Sequence, residues 1–182
     1  MIEGLYEPFK HWSKVGTVWL YSDPHFNDSE APKYGRISDE EQLARINAKV
    51  GRKDTLIVLG DVGDLEWAKK MRGNKILLLG NHDKGASLYT NIFNEIYEGP
   101  LFIAPKILLS HEPIEGLGWC VNIHGHIHAN VVNDNTHFNV CSNRIDYTPI
   151  NFNQWVKSGY LSKASGIHRP TIDRATKRRR KR

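Results

Sequence analysis

The sequence predicts one layered α/β domain followed by a short basic tail. Short apolar runs of strand character alternate with segments of helical pattern, and no internal repeat or linker divides them. A length of 182 residues is that of one ordinary domain, which can bury a core without disulfides or structural metal. We therefore expect a domain over residues 1–168 and a disordered tail over residues 169–182.

The strands are predicted from apolar runs that are too short to form helices. Four of them are "TVWLYS" (17–22), "TLIVLG" (55–60), "KILLLG" (75–80) and "KILLS" (106–110). Two later runs are expected to complete a sheet: "VNIHGHIH" (121–128) and "HFNVCS" (137–142). Because helical segments separate several of these strands, the pattern favours stacked layers of helix and sheet.

The helices are predicted from their end signals. The segment "SDEEQLARINAKVG" begins with Ser38 and Glu41 in capping-box register and closes at Gly51. A shorter helix, "LEWAKKM" (65–71), follows the second strand. Near the end, "PINFNQWVKSG" (149–159) indicates a strand end followed by a brief helix that Gly159 stops.

The charge is divided unevenly along the chain. Residues 169–182 hold eight Lys or Arg residues and one acid, whereas the first 168 residues hold 17 basic and 19 acidic residues. Such a tail cannot bury apolar surface, so we expect a solvated arm. The arm could bind nucleic acid nonspecifically through phosphate contacts, or it could serve only solubility.

The two cysteines and the lack of targeting segments predict a cytoplasmic location. Cys120 and Cys141 are not in a CxxC spacing, and both lie in apolar runs where a cysteine commonly acts as a small buried hydrophobe. The first residues lack the pattern of a signal peptide, and no apolar run approaches the roughly 18 residues of a membrane helix.

Polar clusters stand at the ends of five predicted strands. They are "SDPHF" (22–26), "GDVGD" (60–64), "GNHD" (80–83), "SHEP" (110–113) and "HGHIH" (124–128). Ligands of open α/β sheets bind outside the carboxyl ends of strands, so these clusters are expected to meet in one crevice. In the last cluster, histidines two apart along a strand would project to the same side, although a His-rich edge strand without metal would show the same pattern.

The residue types in these clusters indicate a site for two metal ions. Imidazoles, carboxylates and an amide oxygen form a mixed nitrogen and oxygen set that suits Mn, Fe, Zn or Ni. About seven such groups exceed the needs of one ion, and a carboxylate could bridge two ions. Such a pair would lower the pKa of a bridging water and hold a phosphoryl group for attack.

The order Asp-x-His, Gly-Asp-x-x-Asp, Gly-Asn-His-Asp, His and Gly-His-x-His resembles the calcineurin-like metallophosphoesterase superfamily over residues 17–149. Two segments, "SDPHF" (22–26) and "NVCSNRIDYTPINF" (139–152), resemble most the small stand-alone bacterial and phage phosphoesterases. The resemblance implies a layered α-β-β-α sandwich of two mixed sheets, which agrees with the layered pattern above.

The resemblance also implies a role for each motif residue. Three residues would hold the first metal: Asp23, His25 and His128. Three would hold the second: Asn81, His111 and His126. Asp61 would bridge the two ions. His82 would face the substrate, with Asp64 orienting its imidazole. His124 has no place in this ligand set and is expected to have a structural role.

The leading hypothesis is a dinuclear metal-dependent hydrolase of phosphodiesters or phosphomonoesters. A metal-bridging hydroxide would attack the phosphorus while His82 assists the leaving group, and the substrate would be small or nucleotide-like. Mn²⁺ is the first metal to test, with Fe, Zn and Ni as alternatives. Two other hypotheses remain open: a metal-binding scaffold without catalysis, and a nucleic-acid processing phosphoesterase aided by the basic tail.

Overall fold

The fold is described from a computed structural model that covers residues 16–30, 36–104, 106–117, 120–132 and 134–161. The basic tail lies outside the described residues, so the predicted boundary at residue 168 stays a prediction. The described strands are β1 (Val18–Tyr21), β2 (Thr55–Val58), β3 (Asn74–Leu78), β4 (Glu95–Tyr97), β5 (Leu101–Ala104), β6 (Ile107–Leu109), β7 (Val121–His124), β8 (His137–Asn139) and β9 (Ile150–Asn151). The α-helices are α1 (Asp39–Lys49), α2 (Leu65–Lys70) and α3 (Phe152–Ser158), and short 3-10 helices span Ala86–Leu88 and Ser142–Ile145.

The strands form two mixed sheets, which confirms the predicted fold class. The first sheet has the order β4-β3-β2-β1-β9, and all its pairs are parallel except β1 with β9. The second has the order β5-β6-β7-β8, with β5 antiparallel to β6 and the other pairs parallel. The four apolar runs predicted as strands are β1, β2, β3 and β6. The sequence analysis did not anticipate β4 and β5.

The helix ends follow the predicted signals. The Ser38 side chain accepts the backbone N–H of Glu41 and caps α1. The reciprocal half of the capping box is absent from the described contacts, because the Glu41 carboxylate instead pairs with Arg45 one turn later. Gly159 ends α3 with φ at 71°, a left-handed conformation that favours glycine.

Two apolar cores separate the layers. Alternate residues of the strands, such as Leu20 and Ile57 in the first sheet and Leu109 and Ile123 in the second, meet between the sheets. The other face of the first sheet packs against α1 and α2 through a second cluster that includes Ile46. Within the described part of the chain, none of the helices is long and apolar enough to span a bilayer.

The parallel pairing brings the predicted polar clusters to one edge of the sandwich. β1, β2 and β3 are adjacent and parallel, as are β6 and β7, so their carboxyl ends lie side by side. The pairing of the first sheet extends past the strands, where the N–H of Asp23 donates to Gly60 O at 3.1 Å and that of His25 donates to Asp61 O at 2.9 Å. This continuation places the loops after β1 and β2 in register.

His126 and His128 lie at this edge, but not on a strand as the sequence predicted. β7 ends at His124, so His126 and His128 lie in the loop that follows. Both have positive φ values, 68° and 49°. The predicted alternation along one strand is therefore wrong for these two residues. Residue 125, just after the strand, must be glycine, because a Cβ there would lie 1.9 Å from Ser22 Oγ and 2.3 Å from Asp23 Oδ2.

Candidate metal centre

Asp61 occupies the middle of the assembled side chains. Its Oδ2 lies 3.3 Å from His111 Nε2 and 3.6 Å from His25 Nε2, and these imidazoles belong to the two different predicted metal sites. Its Oδ1 accepts the backbone N–H of His82 at 2.9 Å. Asp61 is only 2% exposed. The hydrogen bond to Oδ1 leaves Oδ2 turned towards the two imidazoles, as a carboxylate shared by two cations requires.

One group of side chains surrounds the amide oxygen of Asn81. Asn81 Oδ1 lies 2.8 Å from His111 Nε2 and 2.9 Å from His126 Nδ1, and these two nitrogens are 3.2 Å apart. His111 Nδ1 lies 2.7 Å from Leu59 O, which can only accept, so Nδ1 carries the proton. In the neutral ring, Nε2 then presents a lone pair to the Asn81 oxygen. Three electron-pair donors facing one another form a site that a cation satisfies.

A second group of side chains also includes Asp61. The ligand atoms of Asp23, His25 and Asp61 lie within 4.8 Å of one another, and so do those of Asp23, His128 and Cys141. The rings of His25 and His128 stack with centroids 5.4 Å apart. His25 Nε2 is buried and has no hydrogen-bond partner among the described residues. A buried nitrogen without a partner is costly, and a metal ion would satisfy it.

The electrostatic environment differs between the two groups. Burial lowers the pKa of His25, although Asp61 and Asp23 oppose this effect, so the ring is neutral and suited to binding metal near neutral pH. Burial also disfavours the charged form of His111, but the hydrogen bond to Asp61, the charge of Asp23 and the Leu59 carbonyl together outweigh it and raise the pKa to about 9. Burial alone would raise the pKa of Asp61, yet its contacts with His111 and the His82 amide hold the pKa below its ordinary value.

The backbone around the site is in sparsely populated conformations. Five of the seven predicted ligands have φ in the left-handed region: Asp23 (54°), His25 (43°), Asp61 (53°), His126 (68°) and His128 (49°). Such conformations cost of order 1–3 kcal/mol each and cluster at functional sites. Gly80 makes room for this packing, because a Cβ there would lie 2.3 Å from Asp61 Oδ1.

His82 lies at the exposed rim of the site. Its backbone is bound to Asp61, and its ring meets that of His25 edge-on with centroids 5.4 Å apart. Asp64 caps α2, with Oδ1 accepting the N–H groups of Glu66 and Trp67. No hydrogen bond joins Asp64 to His82 within the described ranges, so the predicted orienting role of Asp64 stays a prediction.

His124 belongs to a different environment. It is fully buried in β7, its Nδ1 lies 2.8 Å from Gly125 O, and its ring contacts that of His137. Burial lowers the pKa of His124 and keeps the ring neutral. It joins none of the clusters of potential ligand atoms found among the described residues.

The sequence analysis missed Asn139, at the end of β8, and Cys141, just after it, which contact the group formed by Asp23, His25 and His128. The Asn139 amide donates to His128 O at 2.7 Å and to Asn130 O at 3.0 Å, which holds the histidine loop. Cys141 Sγ lies 3.0 Å from Asp23 Oδ2. Burial, reinforced by Asp23, raises the pKa of the Cys141 thiol well above its ordinary value. The run "FNVCSN" predicted only a buried small residue, and nothing in its spacing indicated contact with a residue 118 positions earlier.

Two packed mixed sheets thus carry carboxylate, imidazole and amide groups that converge at one edge, a donor set that suits divalent metal ions. A sequence model of the calcineurin-like phosphoesterases matches residues 16–172. The chain therefore belongs to the calcineurin-like phosphoesterase family.

Individual relatives are similar to this chain over most of their length. A solved structure of AQ665, a protein of unknown function from Aquifex aeolicus, has a TM-score of 0.65 and 26% identity, covering 79% of this chain and 99% of that chain. The Gene 66 protein of Mycobacterium phage D29 is 24% identical, covering 65% of this chain and 81% of that protein. Pseudomonas putida nuclease MPE has a TM-score of 0.47 and 26% identity, covering 61% of each chain.

Proposed function

We propose that this protein is a dinuclear metal-dependent phosphoesterase that hydrolyses phosphodiesters or phosphomonoesters of small or nucleotide-like compounds. The observation that carries the proposal is the position of Asp61, whose Oδ2 lies between the imidazoles of His25 and His111. A carboxylate with a ligand group on each side is the central element of a two-metal site. Membership of the calcineurin-like phosphoesterase family supports the reaction class.

The ligand sets follow from the two groups of side chains. Asp23, His25 and His128 would hold one ion, and Asn81, His111 and His126 would hold the other, with Asp61 shared. The residues fit such ions because the atoms that approach one another are carboxylate oxygens, imidazole nitrogens and the Asn81 amide oxygen, which can all donate electron pairs. Nitrogen and oxygen donors of this kind suit Mn²⁺ first, and Fe, Zn or Ni as alternatives.

Two divalent cations, when bound, supply a water activated near neutral pH and offset the charge of the phosphoryl oxygens. The residues of this chain prepare the site for that chemistry. Burial holds His25 neutral, and the Leu59 carbonyl keeps one proton on His111 Nδ1, so that a metal ion would take the place of the proton on Nε2. Asp61 keeps its charge because its carboxylate contacts His111 and the His82 amide.

In this proposal, His82 serves the leaving group. Its backbone N–H is bound to Asp61, so its side chain stays beside the ligands yet is exposed to solvent. A protonated ring nitrogen of His82 could donate its proton to the leaving oxygen as the phosphorus–oxygen bond breaks. To orient His82, the Asp64 carboxylate would have to move away from the Glu66 and Trp67 amides that it caps in α2.

The test is metal-dependent hydrolysis of two synthetic substrates. The chelator-treated protein would be assayed with an aryl phosphodiester and an aryl phosphomonoester, before and after addition of Mn²⁺. We expect no hydrolysis without metal and restored hydrolysis of at least one substrate with it. A protein that binds two Mn²⁺ ions but hydrolyses neither substrate, nor any member of a broader phosphoester panel, would favour a metal-binding scaffold.

A further inference from the structure

The thiol of Cys141 contacts a carboxylate of the candidate metal centre. Cys141 Sγ lies 3.0 Å from Asp23 Oδ2, and the two residues are 0% and 2% exposed. An ionised carboxylate only accepts hydrogen bonds, so the thiol is the donor. Burial shields this hydrogen bond from competition with water.

The backbone sets the position of the sulfur. Cys141 forms a parallel bridge with Ser22, the residue before Asp23, and this bridge joins the ends of the two sheets. Ser142 reinforces it, because its N–H donates to Ser22 O at 2.9 Å and its Oγ donates to Asp23 O at 2.8 Å. The Cys141 N–H donates to Asn139 Oδ1 at 2.9 Å. These contacts fix the backbone around Cys141 without using its own side chain.

The two oxygens of Asp23 are not equivalent. Oδ2 accepts the Cys141 thiol at 3.0 Å and the His126 N–H at 3.0 Å, and the missing side chain of Gly125 leaves room for this oxygen. Oδ1 has a longer contact of 3.2 Å with the same N–H and lies 3.8 Å from His25 Nε2. Donors therefore occupy Oδ2, and Oδ1 is the oxygen that faces a neighbouring predicted ligand.

We propose that Cys141 is a positioning residue of the first metal site, where its S–H holds Asp23 Oδ2 and thereby directs Oδ1 towards the cation. This inference rests on the metal centre of the proposed function. Partners that orient metal ligands commonly contribute 10- to 100-fold to metal affinity. The role needs a donor of similar size at residue 141, so a serine should preserve it and an alanine should abolish it.

The experiment measures Mn²⁺ binding to the metal-free wild type, Cys141→Ala and Cys141→Ser by titration calorimetry. Cys120→Ala is the matched control, because Cys120 is also a buried free cysteine and contacts no predicted ligand among the described residues. We expect Cys141→Ala to weaken one of two Mn²⁺ affinities roughly 10- to 100-fold. Cys141→Ser and Cys120→Ala should retain both affinities. Thermal unfolding of the metal-free variants would show that all of them fold.

The outcomes separate this inference from the proposed function. If wild type binds two ions and Cys141→Ala binds both as tightly, Cys141 has no positioning role. If wild type binds no Mn²⁺, the proposed function itself fails. Titration with Co²⁺ adds a spectroscopic criterion, because a thiolate ligand gives an intense charge-transfer band in the near ultraviolet. Such a band in wild type and its loss in Cys141→Ser would make Cys141 a ligand and overturn the positioning role.

Discussion

The carboxylate of Asp83 binds the backbone of Asp61, the residue at the centre of the candidate metal site. Asp83 Oδ2 accepts the N–H of Asp61 at 2.8 Å and the N–H of Gly80 at 2.8 Å, and Oδ1 accepts the N–H of Val62 at 3.0 Å. The hydroxyl of Tyr89 donates to the same Oδ1 at 3.0 Å. Asp83 thus joins the loops after β2 and β3 and holds Asp61 in its left-handed conformation.

Asp83→Ala should lower the free energy of unfolding by about 3 kcal/mol, because it removes a charged acceptor from several backbone N–H groups. Tyr89→Phe is the control, since it removes one hydroxyl, which donates to Asp83 and accepts the Lys84 N–H, and should cost only about 1–2 kcal/mol. Urea unfolding in the presence of a chelator measures both values without a contribution from bound metal. Equal losses in the two variants would show that Asp83 does not organise the loops.

His82→Ala should keep the metal content of wild type and lower turnover by roughly 10²- to 10⁴-fold, the usual effect of losing a general acid. Metal content should be unchanged because the His82 side chain is not a predicted ligand, and the backbone N–H that binds Asp61 is kept in the variant. The loss should be smaller for phosphodiesters with acidic leaving groups, which depart without a proton. A loss that is the same for good and poor leaving groups would contradict proton donation and favour electrostatic stabilisation.

Mn²⁺ affinity should rise with pH between pH 6.5 and about 9, because the pKa of His111 in the metal-free protein is raised to about 9, despite burial, by the hydrogen bond that its ring donates to Asp61 and by the charge of Asp23. Mn²⁺ must displace that proton, so affinity should increase by up to about tenfold per pH unit. Calorimetry in buffers of different ionisation enthalpy would count the released protons. Binding without proton release at pH 7 would contradict a protonated His111.

The raised pKa of His111 should make the metal-free protein less stable as the pH rises, whereas Mn²⁺ affinity increases. A folded-state pKa above the ordinary 6.5 contributes stability that is complete below pH 6.5 and is lost as the pH rises through about 9. The free energy of unfolding measured with chelator should therefore fall over this range. Asp61→Asn removes the partner charge and should flatten the dependence; an unchanged slope would assign it to another group.

Deleting residues 169–182 should leave hydrolysis of a small phosphodiester unchanged, because no predicted ligand lies in the tail. Any binding to single-stranded nucleic acid should weaken and depend less steeply on salt, since the eight basic residues act through counterion release. A salt titration of binding for both proteins measures this. Identical slopes would leave the tail without a role in nucleic-acid binding.

The sequence predicted the parts of the fold that local pattern controls. The apolar runs predicted β1, β2, β3 and β6, and the polar residues after these strands predicted the edge where Asp23, Asp61 and His111 meet. Parallel pairing makes such strand ends converge, so spacing along the chain was sufficient. The short strand β4 was missed because its sequence, "EIY", is only three residues long and half-buried.

The rest of the site depends on contacts between distant segments. The bridge between Ser22 and Cys141 joins two sheets, and no local pattern indicates which residues will face each other there. The same limit applies to the loop after β7, where positive φ values turn His126 and His128 towards the site. The glycine in "HGHIH" was the available signal, because glycine within a strand pattern often marks a break or a close backbone approach.

The central claim is that Asp61 is shared by two metal ions, and metal content per chain tests it most directly. Wild type and Asp61→Asn would be saturated with Mn²⁺, passed through a desalting column and analysed by plasma emission spectrometry, with unfolding curves to confirm that both fold. The account predicts two ions per wild-type chain and losses from both sites in Asp61→Asn, because the substitution removes the charge between them. Retention of both ions and near-normal turnover in Asp61→Asn would contradict it.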